Sequence, residues 1–237
     1  MPAIDHLVYA VPDLDEGVAA IAALTGVEAV AGGSHPGAGT RNALLSFDGS
    51  ADSSADYSAD YSADSSAYFE IISIDPDQAD HRGPRPFGVD GERPSRMASF
   101  AVHPVGGETI DSVAEVMRSA GYDPGPVAAM SRRRPDGVEI SWRLTRAVDA
   151  PLGRANPASD GVIPFVIDWG DTPTPARSAP RLGRLTEFRI AHPDPAVVDL
   201  ARALDLRLAD GPVNVSTGDR SIVAVIELAD GRQVELR

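Results

Sequence analysis

The first 75 residues carry the pattern that most constrains the fold. Residues 4–11 form a predicted strand in which successive side chains point to opposite faces. The two faces of this strand carry Leu7, Tyr9 and Val11 on one side and His6, Val8 and Ala10 on the other. A helix opens at Pro12-Asp13-Leu14, with acidic residues in its first turn, and ends near Gly26. Strands near 27–31, 40–47 and 67–74 follow, so the order is βαβββ.

The same order of predicted elements recurs along the chain of 237 residues. We predict an α+β fold in which repeated βαβββ modules form a concave mixed or antiparallel sheet with the helices outside. The predicted organisation is a first module at 1–75, a linker or lid at 76–95, a second module at 96–170, a linker at 171–184 and a third, compact βαβββ-like unit at 185–237.

Residues 50–66 form a Ser-Ala-Asp repeat of period four between the last two strands of the first module. The spacing of its aspartates differs from that of an EF-hand loop, which places ligands at alternate positions around a glycine. We interpret the repeat as a solvated loop that extends away from the sheet. A recognition tract is the alternative.

Composition excludes several kinds of chemistry. The chain has no cysteine and no lysine, which removes thiol nucleophiles, Schiff bases and the P-loop lysine. A metal would therefore be held by His, Asp or Glu, and no nucleotide cofactor is indicated. The formal charge of −14 disfavours nucleic acid and anionic membranes as partners. No apolar run is long enough to span a bilayer and no signal peptide is apparent, so we expect a cytoplasmic protein.

Two segments of the first module carry candidate functional residues. His6 and Glu70 lie on the first and last predicted strands and form a plausible half of a metal site. The alternative for His6 is a core histidine that is hydrogen-bonded to a strand neighbour. In the glycine-rich segment 34–42, Arg41 could clamp a carboxylate, and Asn42 can donate and accept hydrogen bonds.

The second module adds a smaller set of candidates. Trp169 follows Asp168 at the end of a predicted strand and is a candidate pocket wall. Arg143 lies on the face of its strand opposite Trp142 and is expected in the cavity or in solvent. The run of arginines at 132–134 precedes a turn signal and is interpreted as a solvated loop. His103 is interpreted as a surface residue.

The module pattern resembles the glyoxalase-like branch of the vicinal-oxygen-chelate superfamily. The segment Ser34-His35-Pro36-Gly37-Ala38-Gly39-Thr40-Arg41-Asn42 is similar to a signature of that branch, as are Arg134-Pro135-Asp136-Gly137 and Ile163-Pro164-Phe165-Val166-Ile167-Asp168-Trp169. The resemblance implies a divalent metal such as Zn, Ni, Mn or Fe, held by His6 and Glu70. The second module has Ala98 or Ser99 opposite His6, neither of which ligates metals. Glu187 of the third unit completes a conceivable set of three ligands.

Two function classes remain open at this point. The first is a glyoxalase-like lyase or isomerase acting on a small oxygenated metabolite, with His6 and Glu70 as metal ligands and His35 or a second carboxylate as the base. The second is a non-catalytic protein that binds an antibiotic or metabolite, with Trp169, Arg41 and Asn42 as pocket walls. A ligand with a carboxylate or oxygen-rich head group near Arg41 is expected in either class. The assembly is left open between a monomer and a homodimer.

Deleting residues 50–66 tests the interpretation of the repeat as a solvated loop. A solvated loop has little buried area to lose, so the melting temperature should stay within a few degrees of the full chain. Thermal unfolding of the two proteins measures this. A large loss of stability would show that the repeat packs on the core.

Overall fold

Strand β1, Ala3–Ala10, sends successive side chains into two different apolar clusters. Leu7 lies in a cluster that also contains the helix residues Ile110 and Met117, which we call the helix-side core. Val8 lies in a second cluster, with Trp142, Leu144, Phe165 and other residues, which we call the interior cluster. The computed structural model describes residues 2–48, 67–91, 93–146, 160–208 and 213–237. The predicted Ser-Ala-Asp loop at 50–66 lies outside the described residues.

Local capping signals fix the first helix, α1, at Leu14–Thr25. The Asp13 carboxylate accepts hydrogen bonds from the backbone N–H groups of Asp15 and Glu16, which satisfies donors that the first turn leaves free. Gly26 ends the helix in the left-handed conformation that glycine adopts without steric cost. Both ends agree with the sequence prediction.

Eight strands form a curved sheet that closes on itself. They are β1 (Ala3–Ala10), β2 (Val30–His35), β3 (Thr40–Phe47), β4 (Tyr68–Ile74), β5 (Arg96–His103), β6 (Val127–Arg133), β7 (Glu139–Thr145) and β8 (Phe165–Asp168). They pair in the order β3-β2-β6-β7-β8-β5-β1-β4, and a further β3–β4 pairing completes the ring. Helix α2, Ile110–Ser119, connects β5 to β6. The interior cluster fills this barrel.

The last part of the chain extends the sheet from β3. It comprises β9 (Arg181–His192), helix α3 (Pro195–Ala203), β10 (Val213–Thr217), β11 (Ser221–Glu227) and β12 (Gln233–Leu236). Strand β9 runs parallel to the end of β3, where Ser46 pairs with Arg181. Strand β10 pairs only with β9, and β11 lies between β9 and β12.

The predicted α+β class and curved mixed sheet are confirmed, but the sheet forms a closed ring rather than an open cup. The closure follows from two contacts between the first four strands and the next four, β1 with β5 and β2 with β6. The threefold module repeat stays a prediction. In the last unit the strand after the helix pairs with the first strand, whereas in the first unit it pairs with the third. In the part of the chain that is described, no helix is long and apolar enough to span a bilayer.

The β2–β6 contact is the narrowest seam of the ring and rests on one residue pair, Ser34 with Arg133. Gly33 lies at this seam with a φ of +133°. A Cβ atom placed on Gly33 would lie 2.0 Å from the backbone oxygen of Arg133. Only a residue without a side chain lets the two strands approach this closely.

Replacing Gly33 by alanine should therefore open the seam. We expect the free energy of unfolding to fall by about 3 kcal/mol or more, since strain from positive φ adds to overpacking against backbone. Gly37→Ala is the matched control, because Gly37 also has positive φ (+74°) but has open space around a Cβ. Denaturant unfolding of both variants measures the difference. Equal losses for the two variants would show that the seam tolerates a methyl group.

Candidate functional site

The interior of the barrel contains a buried group of two histidines and one glutamate. His6 lies on β1, His35 ends β2 and Glu70 lies on β4, and all three are at most 5% exposed. His6 Nε2 is 3.8 Å from Glu70 Oε2, and His35 Nε2 is 3.9 Å from Glu70 Oε1. Two imidazole nitrogens therefore face the two oxygens of one carboxylate.

Asp5 fixes the orientation of the His6 ring. His6 Nδ1 lies 2.6 Å from Asp5 Oδ1, and a carboxylate only accepts, so Nδ1 carries the hydrogen. Neighbouring residues on a regular strand point to opposite faces, but the register against β5 shifts between Ile4 and His6. This irregularity has the effect of a β-bulge, which re-aims a side chain, and it brings the Asp5 carboxylate to the ring beside it.

The Asp5 carboxylate is held by two further ring donors. Trp169 Nε1 donates to Asp5 Oδ2 at 3.2 Å, and His103 Nδ1 lies 3.3 Å from the same oxygen. Burial alone would raise the pKa of Asp5, but the hydrogen bonds from His103 and His6 outweigh it and hold the pKa well below its usual range. Asp5 is therefore an ionised acceptor at neutral pH.

His35 is held as a neutral ring. Burial lowers the pKa of His35 to about 4, because the apolar surroundings disfavour the charged form. Its Nδ1 lies 3.0 Å from Thr40 Oγ1. The turn after His35 is tied to Gln78, whose side-chain amide donates to the His35 carbonyl at 3.0 Å and accepts from the Gly37 N–H at 3.0 Å. The ring thus keeps Nε2 towards Glu70.

Asn42 and Arg132 fix the Glu70 carboxylate. Asn42 Nδ2 donates to Glu70 Oε1 at 2.5 Å and lies 3.4 Å from His35 Nε2. Arg132 Nη1 donates to Asn42 Oδ1 at 3.3 Å. Because a guanidinium only donates, this contact sets which end of the Asn42 amide faces Glu70.

The group faces a small cavity of about 30 Å³. This is enough space for at least one ordered water. Its walls are mainly apolar and aromatic; the lining residues are His6, His35, Thr40, Glu70, Ile72, Pro86, Phe87, Met130, Trp142, Leu144, Phe165 and Ile167. A groove of about 970 Å³ lies on the side of α1 and is lined by Asn42 but by neither histidine nor Glu70. We place the candidate site in the smaller cavity, since the titratable groups converge there.

Family comparison agrees with the resemblance found in the sequence. Residues 4–205 match the glyoxalase-like domain family. The chain belongs to this family. No curated protein matches the chain.

Solved structures resemble this chain at low sequence identity, and one of them has a TM-score above 0.5. A hypothetical protein from Staphylococcus aureus is 12% identical, with a TM-score of 0.59 and coverage of 100% of this chain and 99% of that one. A methylmalonyl-CoA epimerase variant from Streptomyces coelicolor, in complex with 2-nitronate-propionyl-CoA, is 18% identical over 69% of this chain and 94% of that one, with a TM-score of 0.39. The epimerase from Mycobacterium tuberculosis is 18% identical over 69% and 84%, with a TM-score of 0.34.

The structure separates the predicted substrate-binding residues into two groups. Asn42 contacts Glu70, and Trp169 contacts Asp5 and packs 5.0 Å from the ring of Trp142. Arg41 alternates to the other face of β3, lines the outer groove and lies 3.5 Å from Asp15.

Arg143 and Asp168 pair with each other rather than with the cavity group. Arg143 Nη2 donates to Asp168 Oδ2 at 2.5 Å, and the Arg143 side chain is 52% exposed. Neither residue lines the cavity.

The structure does not bring Glu187 to His6 and Glu70. Glu187 lies on β9, and its carboxylate accepts a hydrogen bond from Asn214 Nδ2 at 2.7 Å. Strand β9 does join the first unit at β3, but the paired residues of β9 are Arg181 and Gly183, and Glu187 lies farther along the strand, opposite Val225 of β11. The nearer second histidine is His35, which the sequence analysis placed in a glycine-rich segment.

The donor types of the interior group fit a divalent metal. Each histidine has Nδ1 occupied by a partner, Asp5 or Thr40, and directs Nε2 to Glu70. Such outer hydrogen bonds are typical of ligating histidines. The 3.8 to 3.9 Å separations exceed the roughly 3.4 Å between tetrahedral ligands that lie about 2.1 Å from a metal. Accordingly, no group of three or more His, Asp or Glu residues in the described ranges is already spaced for a metal.

Three residues of the site were missed by sequence reasoning. The contact of Asp5 with the His6 ring requires a β-bulge, and no local sequence signal predicts that bulge. Arg132 was assigned to a solvated loop, but it is 5% exposed and lies on β6. His103 was assigned to the surface, yet it contacts Asp5. The alternation of side chains along β6 would have predicted the inward position of Arg132, because Arg132 shares a strand face with Met130, which lines the cavity.

The lowered pKa of His35 predicts a pH-dependent stability. The unfolded chain binds a proton on His35 below about pH 6.5, whereas the folded chain resists this until about pH 4. Stability is therefore complete above pH 6.5 and falls as the pH drops towards 4. When the pH is lowered from 7.5 to 4.5, the free energy of unfolding of His35→Gln should fall by about 2 kcal/mol less than that of the wild type.

Denaturant unfolding at the two pH values, with chelator present, measures this difference. His81→Gln is the control, since His81 does not line the cavity. The account fails if His35→Gln and wild type lose the same stability on acidification.

Proposed function

We propose that this protein is an enzyme of glyoxalase-like type that moves a proton on a small carbonyl metabolite inside the barrel. One observation carries the proposal: His6 Nε2 and His35 Nε2 face the two oxygens of the buried Glu70 carboxylate. Burying ionisable groups is costly, so a group of this kind inside an apolar barrel is a candidate site for chemistry.

A divalent metal is part of the proposal. His6, His35 and Glu70 would hold it, and a bound ion would polarise the substrate carbonyl as a Lewis acid. In this set of ligands, His35 takes the place of Glu187, which was the third ligand expected from the sequence. Asp5 and Thr40 would keep the two imidazoles oriented by their contacts at Nδ1.

Glu70 is the proposed proton acceptor. Asn42 donates to Oε1 and holds the carboxylate in place, while Oε2 faces His6. His35 was proposed as a base from the sequence, but its two ring nitrogens already contact Thr40 Oγ1 and Asn42 Nδ2. His35 is better suited to serve as a neutral ligand or hydrogen-bond acceptor.

A non-catalytic binding protein is the second candidate function. The outer groove of about 970 Å³ favours it, because that volume suits a drug-sized ligand. Arg41 and Asn42 line this groove, as the binding hypothesis expects. Trp169 belongs instead to the interior of the barrel, where it contacts Asp5.

Metal analysis of protein purified without chelator tests the ligand set. We expect one divalent ion per chain, lost in His6→Ala, His35→Ala and Glu70→Gln. Glu187→Gln is the matched control and should keep the ion. Loss of metal in Glu187→Gln, or its retention in the other three variants, would contradict the set. No metal under any loading would favour a binding protein or a metal-free catalyst.

Deuterium exchange at carbon tests the proposed chemistry. We expect the wild type to accelerate exchange of the α-hydrogens of cyclopentanone in D2O, followed by NMR. Glu70→Gln should reduce this rate by roughly 10²-fold or more, since it removes the general base and one of the proposed metal ligands. Glu187→Gln should leave the rate unchanged. An unaltered rate in Glu70→Gln would remove Glu70 from the reaction.

A further inference from the structure

The walls of the interior cavity are built from the barrel itself. All the lining residues lie on barrel strands except Pro86 and Phe87, which belong to a short turn between β4 and β5. Most of them are aliphatic or aromatic, and the polar groups gather on one side around Glu70. The cavity is therefore suited to a ligand with a large apolar part and few polar atoms.

The charge of the lining disfavours an anionic ligand. Glu70 is the acidic residue of the lining, and no arginine belongs to it within the described part of the chain. The nearest buried arginine, Arg132, directs Nη1 to Asn42 Oδ1. In the metal-free protein, a carboxylate in the cavity would thus meet the charge of Glu70 with no cationic side chain in the walls. The expected carboxylate or oxygen-rich head group near Arg41 would belong to the outer groove, which Arg41 lines.

Trp142 supplies a hydrogen-bond donor without an acceptor. It lines the cavity and is only 8% exposed. Its Nε1 atom is buried and has no hydrogen-bond partner among the described residues. A buried donor left without a partner costs about 1–3 kcal/mol, so such groups are rare unless a ligand or water completes them.

We propose that the cavity of the metal-free protein takes an uncharged, mainly apolar carbonyl compound whose oxygen accepts a hydrogen bond from Trp142 Nε1. The proposal rests on the proposed function for the choice of a carbonyl group. An indole N–H only donates and a carbonyl oxygen only accepts, so the two are complementary. Trp142 would then select for a neutral oxygen and against both hydrocarbons and anions.

Pro86 and Phe87 form the part of the cavity wall that lies outside the barrel strands. The present volume of about 30 Å³ holds a water but not a ketone. Phe87 has a φ of +60°, a conformation that costs a non-glycine residue energy. Its carbonyl and that of Gly88 accept hydrogen bonds from Arg96 at 2.7 and 3.0 Å. The turn is thus the wall that can be displaced without opening the barrel strands.

Three matched probes, applied with chelator present, test the ligand class. Cyclopentanone is a neutral ketone, methylenecyclopentane replaces the oxygen by a CH₂ group, and cyclopentanecarboxylate is an anion. The two tryptophans of the chain give two indole N–H signals in NMR spectra, and Trp169→Phe assigns the remaining one to Trp142. We expect cyclopentanone to move the Trp142 signal downfield and to bind about five-fold to ten-fold more tightly than methylenecyclopentane.

The variant Trp142→Phe keeps an aromatic ring and removes the donor. In this variant the two uncharged probes should bind with equal affinity, and the carboxylate should bind neither protein. If the variant does not fold, the shift of the Trp142 signal in the wild type still decides the question. Tighter binding of the carboxylate, an unmoved Trp142 signal, or no binding of cyclopentanone would each overturn the proposal.

Failure of this ligand proposal can be told apart from failure of the proposed function. Binding of cyclopentanone with the predicted shift but without deuterium exchange would support the ligand class and contradict the proton transfer. Metal binding to His6, His35 and Glu70 without binding of cyclopentanone would contradict the ligand class alone.

Discussion

The buried Asp5 carboxylate ties together the parts of the barrel that make the site. It contacts ring nitrogens from β1, from β5 and from the residue after β8, namely His6, His103 and Trp169. A carboxylate with several hydrogen-bond donors keeps its charge in a buried place, and its loss would leave these donors without an acceptor. Tyr68 and Phe165 pack against the His6 ring, and the Asp5 contact sets which of its nitrogens faces Glu70.

The barrel separates apolar packing from polar chemistry by strand alternation. The helix-side core takes residues such as Leu7 and Phe69, whereas the other faces of β1 and β4 direct His6 and Glu70 inward. Rigid strands position side chains more precisely than loops do, which suits a site that must hold two imidazoles against one carboxylate. The single-pair seam between β2 and β6 is also the place where His35 joins the group, so closure of the barrel and assembly of the site depend on each other.

Local sequence signals predicted the elements and the inward faces, but not the contacts between distant strands. The alternation of residues 4–11, the cap at Asp13 and the glycine at Gly26 depend on neighbours in the chain, and each agrees with the structure. The pairing of Asp5 with His6 depends on a register shift against β5, which alternation alone would not allow. Glu187 was assigned by analogy between units, and it lies beyond the part of β9 that pairs with β3, opposite Val225 of β11.

The histidine tautomers test the central claim most directly. Asp5 accepts from Nδ1 of His6, and the donor Asn42 Nδ2 faces Nε2 of His35, so both Nε2 atoms act as acceptors on the side of Glu70. Long-range ¹H–¹⁵N NMR spectra of the imidazole rings, recorded at pH 7.5 with chelator, distinguish the two tautomers. We predict the Nδ1–H tautomer for both His6 and His35. An Nε2–H tautomer on either ring would contradict the arrangement on which the proposed function depends.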